Sequence, residues 1–539
     1  MGIDRGGKVE TTADYVIVGA GSAGCALAGR LSDVTDGTVL LVEAGGSADD
    51  EIFRVPALWG RQLATKHDWH YFSEPEPGLD GRRNFLPRGK AVGGTGSMNA
   101  MLYVRGVPAD FDEWESRGAS GWGWSGVLPY FKRAESNARG ASEFHGANGP
   151  VRVSDQVSRF RVTEAWVESA VQAGYPANQD FNGATQEGVG HWQLNCDNAE
   201  RCSSAVAYLP AAIDRGNLQV MTHAHAMRLV FDGTRAVAVE VERFGEMVTL
   251  SARREIILSA GAYNTPRILM ISGVGPGNHL SLFGLETVAD LPVGENLQDH
   301  PGVPLVIATS EQTLFGVGTE EHWERWRRER RGPLASNGVE AGGFFRTLPH
   351  LVDCDCQVVV IPATFSDDAR GAVTQNGLTV AVEVTRPTSV GKVRLRSLEP
   401  TAQPRITHNH CTTRHDIEVL KRGLRMHMEV LAQSPVADLT LGRLRWPQST
   451  TDAGLEQFIR RNALGVYHPS STCAIGRVVD PELRVYGIDG LRIVDASVMP
   501  TQVRGNPNAT IMMIGDKAAD LIAGAGGAAA ADEMAGASA

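Results

Sequence analysis

The sequence predicts an α/β protein that combines a parallel βαβ unit at the N-terminus with a separate antiparallel sheet. Three observations lead to this class. An apolar run at 15–18 is followed by a glycine-rich turn, a helical pattern and a second apolar run at 39–42. Residues 303–405 carry strand patterns separated by glycine turns, which is typical of an antiparallel sheet and hence of a second domain. A strand–loop–helix pattern returns at 467–523.

The N-terminal unit has the spacing of a dinucleotide-binding motif. Gly19, Gly21 and Gly24 form the pattern GxGxxG directly after the first strand. The first glycine permits a tight turn, the second lets a pyrophosphate approach the backbone, and the third lets the helix pack on the strand. The helix N-terminus offers N–H groups to the phosphates. Glu43 follows the second strand, 19 residues after Gly24, where a carboxylate accepts the ribose hydroxyls.

Composition excludes several classes of protein. The chain of 539 residues is long enough for more than one domain, and its formal net charge of −11 argues against nucleic acid or an anionic membrane as partner. No apolar run is long enough to span a bilayer, and the first ten residues lack the apolar core of a signal peptide, so we expect a cytoplasmic protein. The seven cysteines are scattered, which predicts free thiols and no metal site.

Five blocks, in order, resemble the signatures of the glucose–methanol–choline (GMC) oxidoreductases, the flavin-dependent alcohol oxidases and dehydrogenases. The resemblance covers nearly the whole chain, and the signatures are most similar to the choline dehydrogenase branch. The blocks are Gly19–Gly24 with Glu43, 88–106, 261–275, 293–301, and 467–469 with 495–508.

The resemblance implies a Rossmann-like FAD-binding domain assembled from discontinuous segments, with an inserted substrate domain built on an antiparallel sheet. The FAD-binding domain is expected at 10–152, 205–302 and 463–524, and the substrate-binding domain at 153–204 and 303–462. The Gly/Ala-rich residues 525–539 are expected to form a disordered tail. The isoalloxazine ring would lie at the domain junction.

Residues at positions that match the family's FAD contacts come from all parts of the expected FAD domain. They are Gly19, Gly21, Ser22, Ala23, Gly24, Glu43, Trp69, Gly94, Asn99, Ala100, Ala226, Asp495, Ala496 and Asn508.

The resemblance also assigns the chemistry. Oxidation of a primary alcohol to an aldehyde removes a hydroxyl proton and a hydride, and the flavin takes the hydride at N5. His468 occupies the family's catalytic position, and an imidazole suits a general base because its unperturbed pKa is near 6.5. Asn508 is expected to hydrogen-bond the same substrate oxygen, since its amide can donate but cannot act as a base.

Two positions depart from the choline oxidases. Met98 stands where those enzymes carry a histidine that bonds covalently to FAD, which predicts a non-covalent cofactor. Gly302 stands where they carry a glutamate that pairs with a trimethylammonium group. A quaternary ammonium substrate would therefore lose its charge partner, unless another acid such as Glu340 substitutes.

The expected function is thus an FAD-dependent oxidoreductase acting on the CH–OH group of a primary alcohol. The electron acceptor is oxygen, a quinone or another carrier, and a homodimer stays open. Two other activities on the same fold stay open as well, a hydroxynitrile lyase and a flavin photodecarboxylase. A non-catalytic nucleotide-binding protein is disfavoured because His468 and Asn508 are both present.

Overall fold

The structure, a computed structural model, describes residues 10–365 and 373–536, and of residues 525–536 it describes only the backbone. The helices of this part of the chain are α1 (Ser22–Val34), α2 (Glu51–Arg54), α3 (Pro108–Ser116), α4 (Trp124–Ala134), α5 (Arg161–Gln172), α6 (Ser204–Asp214), α7 (Gly261–Ile271), α8 (Gly277–Leu280), α9 (Glu320–Glu329), α10 (Arg414–Val430), α11 (Asp452–Asn462) and α12 (Asn508–Gly536).

The strands follow in chain order. They are β1 (Thr12–Val18), β2 (Val39–Val42), β3 (Tyr71–Phe72), β4 (Phe85–Leu86), β5 (Glu135–Asn137), β6 (Val151–Val153), β7 (Gly188–His191), β8 (Cys196–Asp197), β9 (Glu200–Arg201), β10 (Leu218–Met221), β11 (Ala224–Asp232), β12 (Arg235–Arg243), β13 (Glu246–Leu258), β14 (Val274–Gly275), β15 (Ala289–Asp290), β16 (Pro301–Thr309), β17 (Ala341–Phe345), β18 (Cys356–Ile361), β19 (Gly377–Val384), β20 (Lys392–Arg394), β21 (Arg405–Thr407), β22 (Thr440–Arg445), β23 (Leu464–Gly465) and β24 (Leu491–Ile493).

The first large sheet has the order β10-β2-β1-β13-β12-β11, with β24 beside β13. Strands β10, β2, β1, β13 and β24 run parallel, whereas β12 and β11 form an antiparallel hairpin. All four residues of β2 are buried, as expected for a parallel strand covered on both faces. Helix α1 packs against α6 and α12 on this sheet. The predicted βαβ unit and the hairpin around Asp232 and Gly233 are therefore both present.

The second large sheet is antiparallel throughout and has the order β22-β16-β19-β18-β17-β7, with β23 beside β16. Its strands β18 and β19 lie within residues 303–405, the region for which the sequence predicts strands of an antiparallel sheet. Helix α10 packs on β19. Strand β23 belongs to this sheet, although it lies just inside the segment 463–524 that is expected for the FAD-binding domain. The domain boundaries themselves stay a prediction.

The C-terminal segment differs from the sequence-based prediction. The backbone of α12 remains helical to Gly536, whereas the sequence analysis expects disorder over 525–539. This stretch is rich in alanine, which has the highest helix propensity of the amino acids. Residues 537–539 lie outside the described residues.

A buried charged cluster joins β5 to neighbouring loops. The Nδ1 atom of His145 lies 3.0 Å from a carboxylate oxygen of Glu135, and its Nε2 atom lies 3.0 Å from one of Asp180. Glu135 also pairs with Arg105, and both of these side chains are fully buried. Burial by itself lowers the pKa of His145. The hydrogen bonds to Asp180 and Glu135 outweigh this effect and raise the pKa to about 9. Both ring nitrogens of the charged imidazole therefore donate to carboxylates.

This cluster predicts a pH-dependent contribution to stability. The folded-state pKa of His145, about 9, lies above the value near 6.5 of an unfolded chain. The protonated ring therefore stabilises the fold fully below about pH 6.5, and this contribution disappears as the pH rises through about 9. We expect the Tm of the wild-type protein to fall across this window more steeply than the Tm of His145→Gln, measured by thermal unfolding. His350→Gln, at an exposed position, is the matched control, and parallel curves for all three proteins would contradict the assignment.

Candidate functional site

A cavity of about 920 Å³ lies between the two large sheets. Its walls include the C-terminal ends of β1 and β2, the loops before α7 and α12, and one face of the antiparallel sheet. Nearly all the residues proposed for the site from sequence line this cavity, although they come from distant parts of the chain. They are Gly19, Gly21, Ser22, Ala23, Glu43, Trp69, Gly94, Asn99, Ala100, Ala226, His468, Asp495, Ala496 and Asn508.

The three glycines of the N-terminal motif have different environments. Gly19 has φ +105°, and a Cβ there would lie 2.4 Å from the carbonyl oxygen of Ser259. Gly24 does not line the cavity, and its Cβ would lie 2.0 Å from the carbonyl oxygen of Gly19. A Cβ at Gly21 would meet no protein atom closer than the carbonyl oxygen of Ser259, 3.9 Å away. The space beside Gly21 therefore belongs to the cavity and is not filled by other parts of the protein. Gly19 therefore makes the turn, Gly24 allows the helix to pack, and Gly21 leaves space for a ligand.

The start of α1 faces the same end of the cavity. Its N-cap is Gly21, which offers no side chain to the first N–H groups of the helix. Gly94, from the second glycine-rich segment, packs so closely that its Cβ would lie 2.8 Å from the Cα of Gly21. Such an arrangement of free N–H groups at a helix N-terminus binds phosphate.

Glu43 is buried at the end of β2. Its carboxylate accepts hydrogen bonds from the main-chain N–H groups of Ala20 (3.0 Å) and Gly45 (2.8 Å). Burial raises the pKa of Glu43 to about 7. The carboxylate has further acceptor capacity toward the cavity, which suits the ribose hydroxyls predicted to bind there.

Asp495 and Asn99 are oriented by hydrogen bonds on the cavity wall. Asp495 accepts from the N–H of Gly261 at the start of α7 (2.9 Å) and from the hydroxyl of Thr265 (2.6 Å). Asn99 accepts from the guanidinium of Arg201 through its side-chain oxygen (2.7 Å). The structure thus holds both predicted contact residues in fixed positions.

His468 also lines the cavity and is held by both its backbone and its ring. Its N–H donates to Asp299 (2.7 Å), and its carbonyl accepts from the amide of Gln502 (2.6 Å). The preceding residue, Tyr467, has φ +71°, a region that non-glycine residues rarely adopt. Arg88 donates to the Tyr467 carbonyl (2.6 Å) and helps to hold this backbone.

The ring nitrogens of His468 belong to a chain of hydrogen bonds whose donors can be assigned. Gln357 donates to the side-chain oxygen of Asn506 (3.0 Å), so the amide nitrogen of Asn506 faces the Nε2 atom of His468 (3.1 Å) as a donor. The Nδ1–H of His468 then donates to Nδ1 of His300 (3.0 Å), and Nε2–H of His300 donates to the carbonyl of Val503 (3.0 Å). This tautomer leaves Nε2 of His468 without a proton.

Burial reinforces this assignment. It is the main cause that lowers the pKa of His468 well below its usual value, and the charges of His300 and Arg88 act in the same direction. Burial likewise lowers the pKa of His300 to about 4. Both imidazoles are therefore neutral near pH 7, and the lone pair of Nε2 of His468 accepts a hydrogen bond from the Asn506 amide.

The structure does not bring Asn508 to His468, in contrast to the sequence-based prediction. The side-chain oxygen of Asn508 accepts a hydrogen bond from the hydroxyl of Ser22 (2.7 Å) at the start of α1. Asn508 is the first residue of α12 and faces the phosphate-binding end, whereas Asn506 precedes Pro507 and faces the second sheet. Two asparagines flank one proline in the sequence, so the spacing alone offered no way to choose between them.

The two departures from the choline oxidases can also be located. Met98 is buried and lines the cavity. Gly302 lines the cavity as well, but Glu340 does not. The Glu340 carboxylate instead accepts hydrogen bonds from Ser336 (2.6 Å) and from the N–H of Phe160 (2.9 Å). Glu340 therefore does not replace the missing glutamate.

The sequence analysis identified neither Asn506 nor Glu383 as a site residue, and it assigned no role to His300. Glu383 lines the cavity from β19 and is the only charged residue within an otherwise apolar strand. A lone acid at an alternating position of a buried strand is the signal that could have identified it.

Within the described residues, no helix is both long enough and apolar enough to span a membrane.

Comparisons with known proteins agree with this geometry. The GMC oxidoreductase family profile matches residues 13–302 with its N-terminal domain and residues 387–515 with its C-terminal domain. The chain is 39% identical to the mitochondrial choline dehydrogenase of Homo sapiens, over 95% of this chain and 89% of that protein. It is 38% identical to the oxygen-dependent choline dehydrogenase of Rhizobium johnstonii, over 95% of this chain and 96% of that protein.

Among solved structures, the chain resembles a variant of the formate oxidase of Aspergillus oryzae that was made to study FAD modification. The two structures superpose with a TM-score of 0.88 at 27% sequence identity, and the match covers 96% of this chain and 99% of the other. The glycine turn, the open N-terminus of α1 and the Glu43 carboxylate fit the pyrophosphate and ribose of FAD. The chain therefore belongs to the GMC oxidoreductase family, and its cofactor is FAD.

Proposed function

We propose that this protein oxidises a primary alcohol to the aldehyde, with His468 as the general base. The observation that carries the proposal is the pairing of two residues that line the cavity, in which the amide of Asn506 donates to the unprotonated Nε2 atom of His468. Bound FAD supplies a hydride acceptor, the flavin N5. The protein must then accept the hydroxyl proton and stabilise the oxygen as it becomes alkoxide-like.

His468 and Asn506 divide these two tasks. The substrate hydroxyl replaces the hydrogen bond between Asn506 and Nε2 of His468: Nε2 accepts the hydroxyl proton, and the amide N–H of Asn506 donates to the hydroxyl oxygen instead. Gln357 fixes the orientation of the Asn506 amide through its own hydrogen bond. His300 accepts from Nδ1–H of His468, and this contact stabilises the imidazolium that forms when Nε2 takes up the proton. Asn508 binds Ser22 at the phosphate-binding end and is assigned to cofactor binding instead.

Two comparisons support oxidation of a CH–OH group over the lyase and photodecarboxylase alternatives. The human and Rhizobium johnstonii relatives are both named choline dehydrogenases, and each aligns along nearly the whole chain. The second is named as oxygen-dependent, which supports oxygen as the electron acceptor; a quinone or another carrier is the alternative. Bleaching of the bound flavin by an alcohol, in the dark and without oxygen, separates oxidation from both alternatives.

The first prediction concerns the base. His468→Ala should slow anaerobic flavin reduction by roughly 10²–10⁴-fold, because it removes the proton acceptor. FAD content, read from the visible spectrum, should stay at the wild-type level. Stopped-flow mixing with saturating alcohol measures the rate. Reduction at the wild-type rate would remove His468 from the mechanism.

The second prediction separates the two asparagines. Asn506→Ala should slow flavin reduction by roughly 10²–10³-fold, the usual cost of removing one donor to a developing oxyanion. Asn508→Ala is the matched substitution two residues away, and it should lower FAD affinity while the loaded enzyme keeps most of its reduction rate. The reverse pattern would return the catalytic role to Asn508.

The third prediction concerns the phosphate site. Gly21→Val should yield folded protein without FAD, because its side chain enters cavity space rather than protein atoms. Gly442→Val is the control, since a Cβ at Gly442 meets nothing within 4 Å and this residue lies outside the cavity. Circular dichroism checks the fold and absorbance at the flavin band checks occupancy. A Gly21→Val protein with full FAD would contradict the phosphate assignment.

The fourth prediction concerns attachment of the cofactor. The thioether of Met98 cannot form the covalent bond that a histidine makes at this position in the choline oxidases. Acid precipitation should therefore release all the flavin into the supernatant, measured by its fluorescence. Flavin retained in the washed pellet would show that another residue attaches it.

A further inference from the structure

Four arginine side chains on the cavity wall take no part in the chemistry proposed above. They are Arg82, Arg83, Arg445 and Arg461, and we refer to them as the arginine cluster. Arg83 and Arg461 are exposed, whereas Arg82 and Arg445 are partly buried, so the cluster lies where the cavity opens to solvent. The chain as a whole carries a formal net charge of −11, and this opening therefore has the opposite sign to the protein.

Three segments of the chain bring the cluster together. Two of its members precede β4, Arg445 is the last residue of β22, and Arg461 lies in the last turn of α11. A guanidinium nitrogen of Arg82 donates to the carbonyls of Arg460 (3.1 Å) and Ala463 (2.6 Å) at the C-terminal end of α11. This contact fixes the loop before β4 against the helix and places the side chains at one opening.

Like charges lie close together in the arginine cluster. Burial lowers the pKa of Arg82, and the charge of Arg445 acts in the same direction, whereas Asp80 opposes both. The Nε atom of Arg82 is buried and has no hydrogen-bond partner among the described residues. Within the same part of the chain, Arg82, Arg83 and Arg461 form no ion pair. A cleft lined by charge of one sign concentrates ligands of the opposite sign.

The acids of the cavity do not neutralise this charge. Among the described residues, the acids that line the cavity are Glu43, Asp495 and Glu383. Glu43 and Asp495 are at positions proposed to contact FAD. Burial, and then the negative charge of Asp299, raise the pKa of Glu383 to about 8, so this carboxyl group is protonated near pH 7. Near that pH, the cavity wall outside the proposed FAD contacts therefore presents positive charge.

The antiparallel sheet gives the distance between the cluster and the reacting end. Gly302 follows His300, the hydrogen-bond partner of His468, by two residues, and Val306 is the cross-strand partner of Arg445. Gly302 and Val306 both lie on β16, four residues apart, which is about 13 Å along a strand. The wall beside this path is mostly apolar and includes Pro304, Val359, Ile361 and Ala381. An extended apolar ligand fits between the two ends.

We propose that the arginine cluster binds an anionic group at the far end of an elongated substrate, so that the alcohol is a hydroxyalkyl carboxylate or phosphate. This inference rests on the proposed alcohol oxidation and specifies its substrate class. Guanidinium groups bind either anion through charge-assisted hydrogen bonds. The apolar wall packs against the methylene groups, and the hydroxyl at the other end reaches His468 and Asn506.

The test compares 10-hydroxydecanoate with 10-hydroxydecanamide, its uncharged analogue of the same length, on the FAD-loaded protein. Anaerobic flavin reduction gives kcat/KM for each alcohol. The wild-type protein should prefer the carboxylate, and the preference should shrink at high salt, which screens exposed charges. The double variant Arg83→Gln/Arg461→Gln should lower kcat/KM for the carboxylate by roughly 10-fold, the scale of two partly exposed ion pairs. The value for the amide should not change.

The matched control is Arg443→Gln/Arg477→Gln. Both of these arginines are exposed and lie outside the cavity wall, so the control changes the net charge by the same amount. It should leave the ratio of carboxylate to amide unchanged. Should Arg83→Gln/Arg461→Gln not fold, the wild-type comparison and its salt dependence decide the matter alone.

Two ligands without a hydroxyl group, decanoate and decyl phosphate, measure anion binding apart from oxidation. Titration calorimetry on the FAD-loaded protein gives their Kd values. The Kd of at least one of them should rise in Arg83→Gln/Arg461→Gln and stay unchanged in the control. The ligand that binds more tightly to the wild-type protein identifies the anion as carboxylate or phosphate.

The outcomes separate this inference from the proposed function. Equal kcat/KM for 10-hydroxydecanoate and its amide in the wild-type protein, or an unchanged ratio in Arg83→Gln/Arg461→Gln, overturns the role of the arginine cluster while alcohol oxidation stands. Binding of decanoate or decyl phosphate that depends on these two arginines, without flavin reduction by either alcohol, supports the anion site and overturns the oxidation.

Discussion

The structure depends on the close approach of three chain segments at the start of α1. The turn at Gly19, the second glycine-rich segment at Gly94 and the loop before α12 meet there, and Ser22 donates to Asn508 across almost the whole length of the chain. Backbones approach so closely at Gly19 and Gly94 that no Cβ fits. This contact fixes the N-terminal motif relative to the C-terminal loop, and therefore fixes FAD relative to His468 and Asn506.

Burial sets the chemistry of the cavity more than charge pairing does. It keeps His468 and His300 neutral, so their shared hydrogen bond can be directional and Nε2 can accept a proton. The same loss of solvation favours the protonated form of Glu383. The neutral imidazoles and the raised pKa of Glu383 thus follow from one property of these side chains, their burial.

The backbone at Tyr467 and His468 is held in its conformation by hydrogen bonds from other segments of the chain. Tyr467 has a left-handed conformation, and Arg88, Asp299 and Gln502 bind the carbonyl or N–H groups of Tyr467 and His468. The Oδ2 atom of Asp299 itself lies 3.8 Å from Nε2 of His408 and 4.0 Å from Nε2 of His410. These contacts orient the imidazole before any substrate arrives, which is how a general base gains its effect on rate.

The sequence by itself determined the family and the cofactor, and it supplied the proposal that His468 is the base. The sequence features that identify the family are local patterns: the GxGxxG spacing, the acid at position 43 and the ordered signatures. Each depends on the conformation and packing of only a few consecutive residues. It also predicted the central strands of the second sheet, because alternation of apolar residues is local too. It did not choose between Asn506 and Asn508, since both flank Pro507 and only the direction of the chain entering α12 separates them. Nor did it identify Glu383, whose place on the cavity wall depends on its register opposite Gly302. Strand pairing joins residues that are far apart in the chain, so only the tertiary structure decided which side chains meet at the substrate.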